Sequence, residues 1–404
     1  MAVAVIVVVA QLLGSLAQRC AQPRVIGEML GGIVLGPSLL GALAPALEQR
    51  LFGPEVLPQL RLLGQLGLVL FMFLVGLELN PRLLRHRFAL ASRLTAAGML
   101  LPLALGLGLA AVLEAWQPAL LPGDRAPGGA LLLATALAVS AFPVLVRILR
   151  DRGLLLQPLG GVAIATAALG DVLGWILLAA VVAFAGSGSW ARALPPLLGA
   201  SLWALLLLLG LQPARRWLER SYRRHHRLGP LLQAALFSGA LLSAAVTEWI
   251  GVHLVFGAFL WGLAMPRYPT LRRRLQTRLE TVVLQLLLPL FFAISGLNTR
   301  IGSLGTPALW AAAALVLLVA VGSKLLGTVV TARLSGLPPR EAQALGWLLN
   351  SRGLTVLVIL NVGLEIGVLS TPLFTIGVLM VLVTTLMAGP LLGRLGYPPL
   401  AAAA

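Results

Sequence analysis

The sequence is poor in charge, in acids and in cysteine, and each shortage closes off a class of protein. Only 11% of its 404 residues are charged, against about 25% in a soluble domain. With 59% hydrophobic residues and a mean hydropathy of +0.97, the chain reads as a membrane protein, not as a soluble enzyme or a nucleic-acid binder. The single cysteine, Cys20, has no second cysteine to pair with and no His/Cys cluster around it, which excludes a disulfide-built secreted domain. Acids number 13 against 30 basic residues, a net charge of +17, and lysine occurs once, at Lys324. The opening MAVAVIVVVAQLLG lacks the charged start and small-residue cleavage site of a removable signal, so it is expected to be the first span.

What the chain does have is long apolar runs. A hydrocarbon core of about 30 Å needs roughly 20 apolar residues per helix. Runs between Arg, Pro and Gly breaks give about thirteen expected spans, at 2–17, 25–44, 60–79, 89–113, 129–149, 158–185, 193–212, 229–248, 252–265, 281–297, 307–331, 342–364 and 371–393. Basic residues favour cytoplasmic loops, and most arginines fall in loops after odd-numbered spans: Arg82, Arg85 and Arg87, then Arg215 to Arg227, then Arg267 to Arg278. This predicts a multi-pass protein of the cell membrane with its N-terminus outside and its C-terminus cytoplasmic. Most of the positive charge is then topology and not a nucleic-acid or other anion site.

An odd count, with equal numbers of spans on either side of a linker span, makes two halves that cross the membrane in opposite senses, as in inverted-repeat transporters. The expected division is a first repeat over about 1–185, a linker helix over 193–212 and a second repeat over 229–398, all in one membrane domain spanning 1–404. Two irregular segments sit seven spans apart, the offset such a repeat requires: Thr135 to Pro143 in the fifth span and Asn350-Ser-Arg-Gly353 in the twelfth. Each puts polar and helix-breaking residues inside an apolar run. Either alone also reads as a tolerated kink. As a matched pair they predict broken helices whose half-helix ends face an ion site at mid-membrane.

Asp171 has about a dozen mostly apolar residues on either side. A carboxylate near the bilayer centre costs at least about 2.5–3.5 kcal/mol, so it is expected to face a water-filled cavity or a partner; the bland alternative is an aspartate that only ties helices together. Lys324 and Arg352 are comparably deep. In a chain so biased towards arginine, a lone lysine points to a site that needs a compact or titratable cation, with chance survival as the alternative. Arg352 is expected to donate to carbonyls freed by the break, beside Asn350. Glu28, Glu78, Glu248 and Glu365 lie near span ends and read as interfacial carboxylates. Glu28 stands apart amid Gly27, Gly31, Gly32 and Gly36, whose spacing allows close helix approach, and joins Arg352 and Asn350 as a supporting residue. His225 and His226 read as solvated loop residues. His253 opens the short ninth span, where an external pH-sensing role is the alternative to a bland one.

At these residues the sequence resembles the cation:proton antiporter-2 branch, which contains bacterial sodium/proton antiporters and the membrane domains of Kef-type potassium efflux systems. The matching stretches, in family order, are VIGEMLGGIVLGPSLLG from Val25, FMFLVGLELNP from Phe71, ATALAVSAFPVLVRILRDRGLL from Ala134, AALGDVLGWILLA from Ala167, HLVFGAFLWGLAMPR from His253, LPLFFAISGLNTRIG from Leu288, GSKLLG from Gly322 and NSRGLTVLVILNVGL from Asn350. The resemblance implies an all-α polytopic fold with two broken helices crossing in a core domain, a dimerisation domain and a homodimer. By position it implies that Asp171 binds ion and proton and that Lys324 is the core lysine. Thr135 and Ser140 match polar positions of the broken helix. Two positions depart from the family pattern. Gly170 stands where Asp, Asn or Gln usually precedes the key aspartate, and Val356 stands where a glutamate commonly follows the span-twelve arginine by four residues.

The expected activity is exchange of Na⁺ or K⁺ for H⁺ by alternating access, with the transported ions as the only small partners and no cofactor. Asp171 would carry either a proton or the cation, transiently. Lys324 would neutralise it when empty, and Thr135 and Ser140 would add oxygens to the cation shell. The alternative is a channel-like or ligand-gated Kef-type efflux path. Kef-type proteins carry a cytosolic nucleotide-binding domain after the last span, and none is expected in a chain of this length. Intramembrane proteolysis is not supported: Ala168 interrupts the Gly-x-Gly-Asp signature, and no second deep aspartate is present.

Overall fold

The computed structural model of the chain describes residues 1–397 apart from 21, 79–87, 124–125, 156, 226–228 and 267. Arg82, Arg85, Arg87, His226, Arg227, Arg267, the chain after 397 and the side chains of Glu78 and His225 lie outside the described residues. All regular structure among the described residues is helical. Eleven helices there are long and apolar enough to cross a membrane. The other two expected spans are Pro230–Ile250 and the shorter apolar helix Leu254–Ala264, so every expected span has its helix.

The first half holds α1 (Ala2–Arg19), α2 (Arg24–Leu35), α3 (Leu57–Glu78), α4 (Phe88–Trp116), α5 (Ala126–Ala138), α6 (Phe142–Asp151) and α7 (Pro158–Ser187). Next come α8 (Trp190–Leu205) and the basic α9 (Gln212–His225). The second half holds α10 (Pro230–Ile250), α11 (Leu254–Ala264), α12 (Pro269–Val282), α13 (Leu288–Leu297), α14 (Pro307–Leu334), α15 (Pro339–Asn350), α16 (Leu354–Glu365) and α17 (Thr371–Arg394). The series α4 to α7 has its counterpart in α14 to α17: a long helix, a broken pair and another long helix.

These eight helices pack on one another as a core. α4 lies against α5, α7 and α14, α14 against α15 and α17, and the broken pairs cross, α5 on α16 and α6 on α15. A second group gathers α1, α2 and α13, with α3 against α11 and α13, and α10 against α11. The glycines of α2 make its crossings possible. A Cβ on Gly27 would lie 2.1 Å from Leu13 O of α1, and one on Gly32 2.6 Å from Phe292 O of α13, so only hydrogen lets the backbones come this close.

The ends of the spans test their parity. Arg61 in α3, His253 before α11 and Glu365 at the end of α16 line one cavity, whereas Arg24, Arg147, Arg150 and Glu280 line another. Counting one crossing per expected span sends the first three to one face and the other four to the opposite face, and the structure gathers each set at its own cavity.

Candidate ion site

The site is built from backbone groups that a continuous helix would have paired internally. α5 stops at Ala138 and α6 begins at Phe142, with Pro143 in its first turn; proline has no N–H and disfavours helical backbone in the residue before it. Unbroken, Ala141 and Phe142 would donate to Leu137 O and Ala138 O. Instead Ala141 N–H donates to Ser351 O in the second break, at 3.2 Å, and Phe142 N–H bonds the Asp171 carboxylate. Two cations take the freed carbonyls. Arg352 Nη2 donates to Leu137 O at 2.7 Å and Lys324 Nζ to Ala138 O at 2.6 Å.

The second break is treated likewise. Arg352 N–H, which would have bonded Leu348 O, donates to Thr385 Oγ1 of α17 at 3.2 Å. Leu348 O accepts from Ser351 Oγ at 2.6 Å, and Leu349 O accepts from Ser140 Oγ at 2.6 Å. The Arg352 guanidinium also donates to Asn350 Oδ1 at 3.1 Å and to Ala320 O of α14 at 3.2 Å. Gly353 permits the crossing, since a Cβ there would lie 2.6 Å from Val144 Cγ2.

Asp171 lies on α7 and is 1% exposed. Thr355 Oγ1 donates to its Oδ1 at 3.3 Å. Thr355 and Phe142 both stand at half-helix N-termini, whose partial positive charge favours an anion. Lys324 and Arg352 cap the C-terminal end of α5, which favours cations. The carboxylate and the threonine hydroxyl present the oxygen chemistry a monovalent cation takes. Among the described residues no group of three or more His, Cys, Asp or Glu gathers to hold a metal.

The expectation for Lys324 needs revising. Arg24 pairs with Glu28 at 3.4 Å and Arg223 with Glu219 at 2.7 Å, whereas Lys324 makes no such pair with Asp171. Its ammonium donates instead to Ala138 O and, at 2.7 Å, to Gly98 O of α4. Gly98 O is open because Pro102, four residues on inside α4, has no N–H to offer. Lys324 thus compensates a helix end and a proline gap, while Asp171 is held from the starts of α6 and α16.

Of the other expected residues, Asn350, Arg352 and Ser140 meet at the crossing. Thr135 lies on α5 and donates back to Leu131 O at 2.7 Å. Glu28 is paired with Arg24 in the wall of a cavity of about 420 Å³ between the two helix groups. That cavity reaches Pro143 and Leu354, the neighbours of the two residues that touch Asp171. A Cβ on Gly170 would find only Thr95 Cγ2, at 3.8 Å, and Val356 is fully buried. Sequence reasoning missed Thr355 and Thr385; Pro102, an in-helix proline four residues after Gly98, was the signal for the second ligand of Lys324.

Residues 4–396 match the family described as sodium/hydrogen exchanger, transmembrane. The chain is 41% identical over 399 residues to the Na⁺/H⁺ antiporter NhaS4 of Synechocystis, covering 98% of this chain and 96% of that protein. It is 38% identical to cation/H⁺ antiporter 20 of Arabidopsis thaliana and 33% identical to K⁺/H⁺ antiporter 1 of Saccharomyces cerevisiae, covering 96% and 93% of this chain. It spans only about half the length of these two, 47% and 44%. Its fold is similar to that of the sodium proton antiporter MjNhaP1 from Methanocaldococcus jannaschii, with a TM-score of 0.70 at 16% identity over 97% of this chain and 96% of that one. With a family match over almost its whole length, the chain belongs to the transmembrane sodium/hydrogen exchanger family.

Proposed function

We propose that the protein exchanges Na⁺ or K⁺ for H⁺ by alternating access, with Asp171 as the shared carrier of cation and proton. The observation that carries this is a buried carboxylate at the crossing of two broken helices, held by a hydroxyl and a backbone amide and by no cationic side chain. Such a group can be neutralised by a proton or a monovalent cation but not usefully by both, which makes the two fluxes compete for one seat. The names of the relatives support the same class. A channel-like path is less well supported: the large cavity ends at Pro143 and Leu354, and Thr355 to Val358 beyond it are all buried.

In this reading the protein is a homodimer in the cell membrane, its N-terminus outside and the large cavity facing the cytoplasm. The arginine bias and the resemblance support this orientation. Thr135, Ser140, Asn350 and Glu28 act as supporting residues, Ser140 and Asn350 by holding the crossing and Glu28 by balancing Arg24 in the cavity wall. The test is purified protein in liposomes with an imposed pH gradient, to which Na⁺, K⁺, Li⁺ and Rb⁺ are added in turn. At least one of Na⁺ and K⁺ should collapse the gradient in a saturable way; failure of every cation overturns the proposal.

A further inference from the structure

The side of α16 that leads away from the large cavity carries polar groups that the exchange step does not use. Thr355, Val358, Asn361 or Val362, and Glu365 recur every three to four residues and so share one helix face. That face begins at Asp171, which Thr355 touches. It ends at a cavity of about 30 Å³ lined by Arg61, Gln65, His253, Asn361 and Glu365. Between Thr355 and Glu365, Asn361 is the one polar side chain of α16, and it is 6% exposed.

Its amide bonds both its own helix and the other helix group. Asn361 Nδ2 donates to Ser295 Oγ of α13 at 2.8 Å and to Leu357 O at 2.8 Å. Its Oδ1 accepts from Asn298 Nδ2, just after α13, at 3.5 Å. Nearby, Arg300 N–H donates to Thr375 Oγ1 of α17 at 3.2 Å, a second bond from the α13 side to the core. An apolar residue at 361 would seal the two groups as well, but it would leave a path through the seam with no polar lining. An amide is both donor and acceptor, so each of its bonds to α13 can be replaced by one to water or to a passing cation.

We propose that Asn361, with Ser295 and Asn298, is the gate of the second access route: bonded, it pins the core to α13 and keeps the Glu365 face shut, and released, it lines the path from that face to Asp171. The gate rests on the exchange reading, so one of its tests is independent of transport. In a Cys20→Ser background, Thr355→Cys places a thiol beside Asp171 on the same α16 face, inward of the cavity that Asn361 and Val358 line. A membrane-impermeant thiol reagent applied from the Glu365 face should label it slowly, and at least five-fold faster when Ser295→Ala removes the partner of Asn361. Unchanged labelling overturns the gate whether or not exchange is observed. In transporting vesicles, Ser295→Cys with Asn361→Cys, joined by a short bifunctional thiol reagent, should stop exchange, and reduction should restore it. Exchange at an undiminished rate in the cross-linked protein overturns the gate and leaves the exchange reading standing.

Discussion

Lys324→Met tests whether the lone lysine is a structural cap. The substitution keeps an unbranched apolar side chain and removes the ammonium, leaving Gly98 O and Ala138 O buried without the donors they have at 2.7 and 2.6 Å. Helical amides cannot step in, because residue 102 is a proline and Phe142 N–H bonds the Asp171 carboxylate. Each buried acceptor left without a donor costs about 1–3 kcal/mol, so the pair costs about 2–6 kcal/mol. The penalty for holding the ammonium away from water largely cancels in this comparison, since α14 sits in the bilayer before its helices associate as well as after. A loss of that size is a large share of the roughly 5–15 kcal/mol that holds a typical protein together. Lys324→Gln retains two N–H donors without the charge; charge-assisted bonds are roughly twice as strong as neutral ones, so it should fall between the other two proteins. Unfolding titrations in mixed micelles, followed by the fluorescence of the nine tryptophans, should rank wild type above Gln and Gln above Met. A Met variant within about 0.5 kcal/mol of wild type, the range of an inconsequential substitution, refutes the cap.

Asp171→Asn keeps the volume and one oxygen but cannot exchange a proton, so coupled exchange should drop to background in liposomes while the protein still inserts and purifies. Thr385→Val removes the acceptor of Arg352 N–H at an unchanged volume and should cost about 1–3 kcal/mol in the same unfolding titration. A reporter fused after Ala404 should be cytoplasmic and a tag before Ala2 external; both on one side would overturn the odd number of crossings.

The spans were legible because a bilayer allows few alternatives to an apolar helix of fixed length. The breaks were legible from polar and Pro or Gly residues inside apolar runs, and Asp171, Lys324 and Arg352 from the cost of charge at that depth. The pairing of those charges was not legible. Opposite sign suggested Lys324 with Asp171, whereas the structure pairs Lys324 with carbonyls, which every residue carries and which a reading by residue type does not see. Thr355 was hidden for a different reason. Its hydroxyl matters only because the start of α16 is brought against Asp171 of α7, a fact of tertiary packing. Thr135 shows the converse: its hydroxyl donates to Leu131 O of its own helix, a bond that residue type does not reveal, while its oxygen keeps lone pairs for a cation.

Where the Lys324 donors go bears on the coupling ratio. A lysine paired directly with Asp171 would be displaced when a cation took the carboxylate, and could then surrender its proton, giving two H⁺ per cation. Here the ammonium rests on Gly98 O and Ala138 O, and neither bond depends on what occupies Asp171. Gly170 adds no second carboxylate to the site. The cycle then alternates between two forms of equal charge, Asp171 with H⁺ and Asp171 with Na⁺ or K⁺, so one H⁺ exchanges for one cation and no net charge crosses. Vesicles clamped with valinomycin and potassium should show Na⁺/H⁺ exchange at a rate independent of membrane potential; a rate that follows the potential refutes the one-for-one cycle. Gly170→Asp supplies the missing carboxylate where a Cβ meets only Thr95 Cγ2 at 3.8 Å, in the small cavity that Lys324 also lines. If the position of the ammonium fixes the ratio, that added charge offers Lys324 an acidic partner and should make the rate respond to potential.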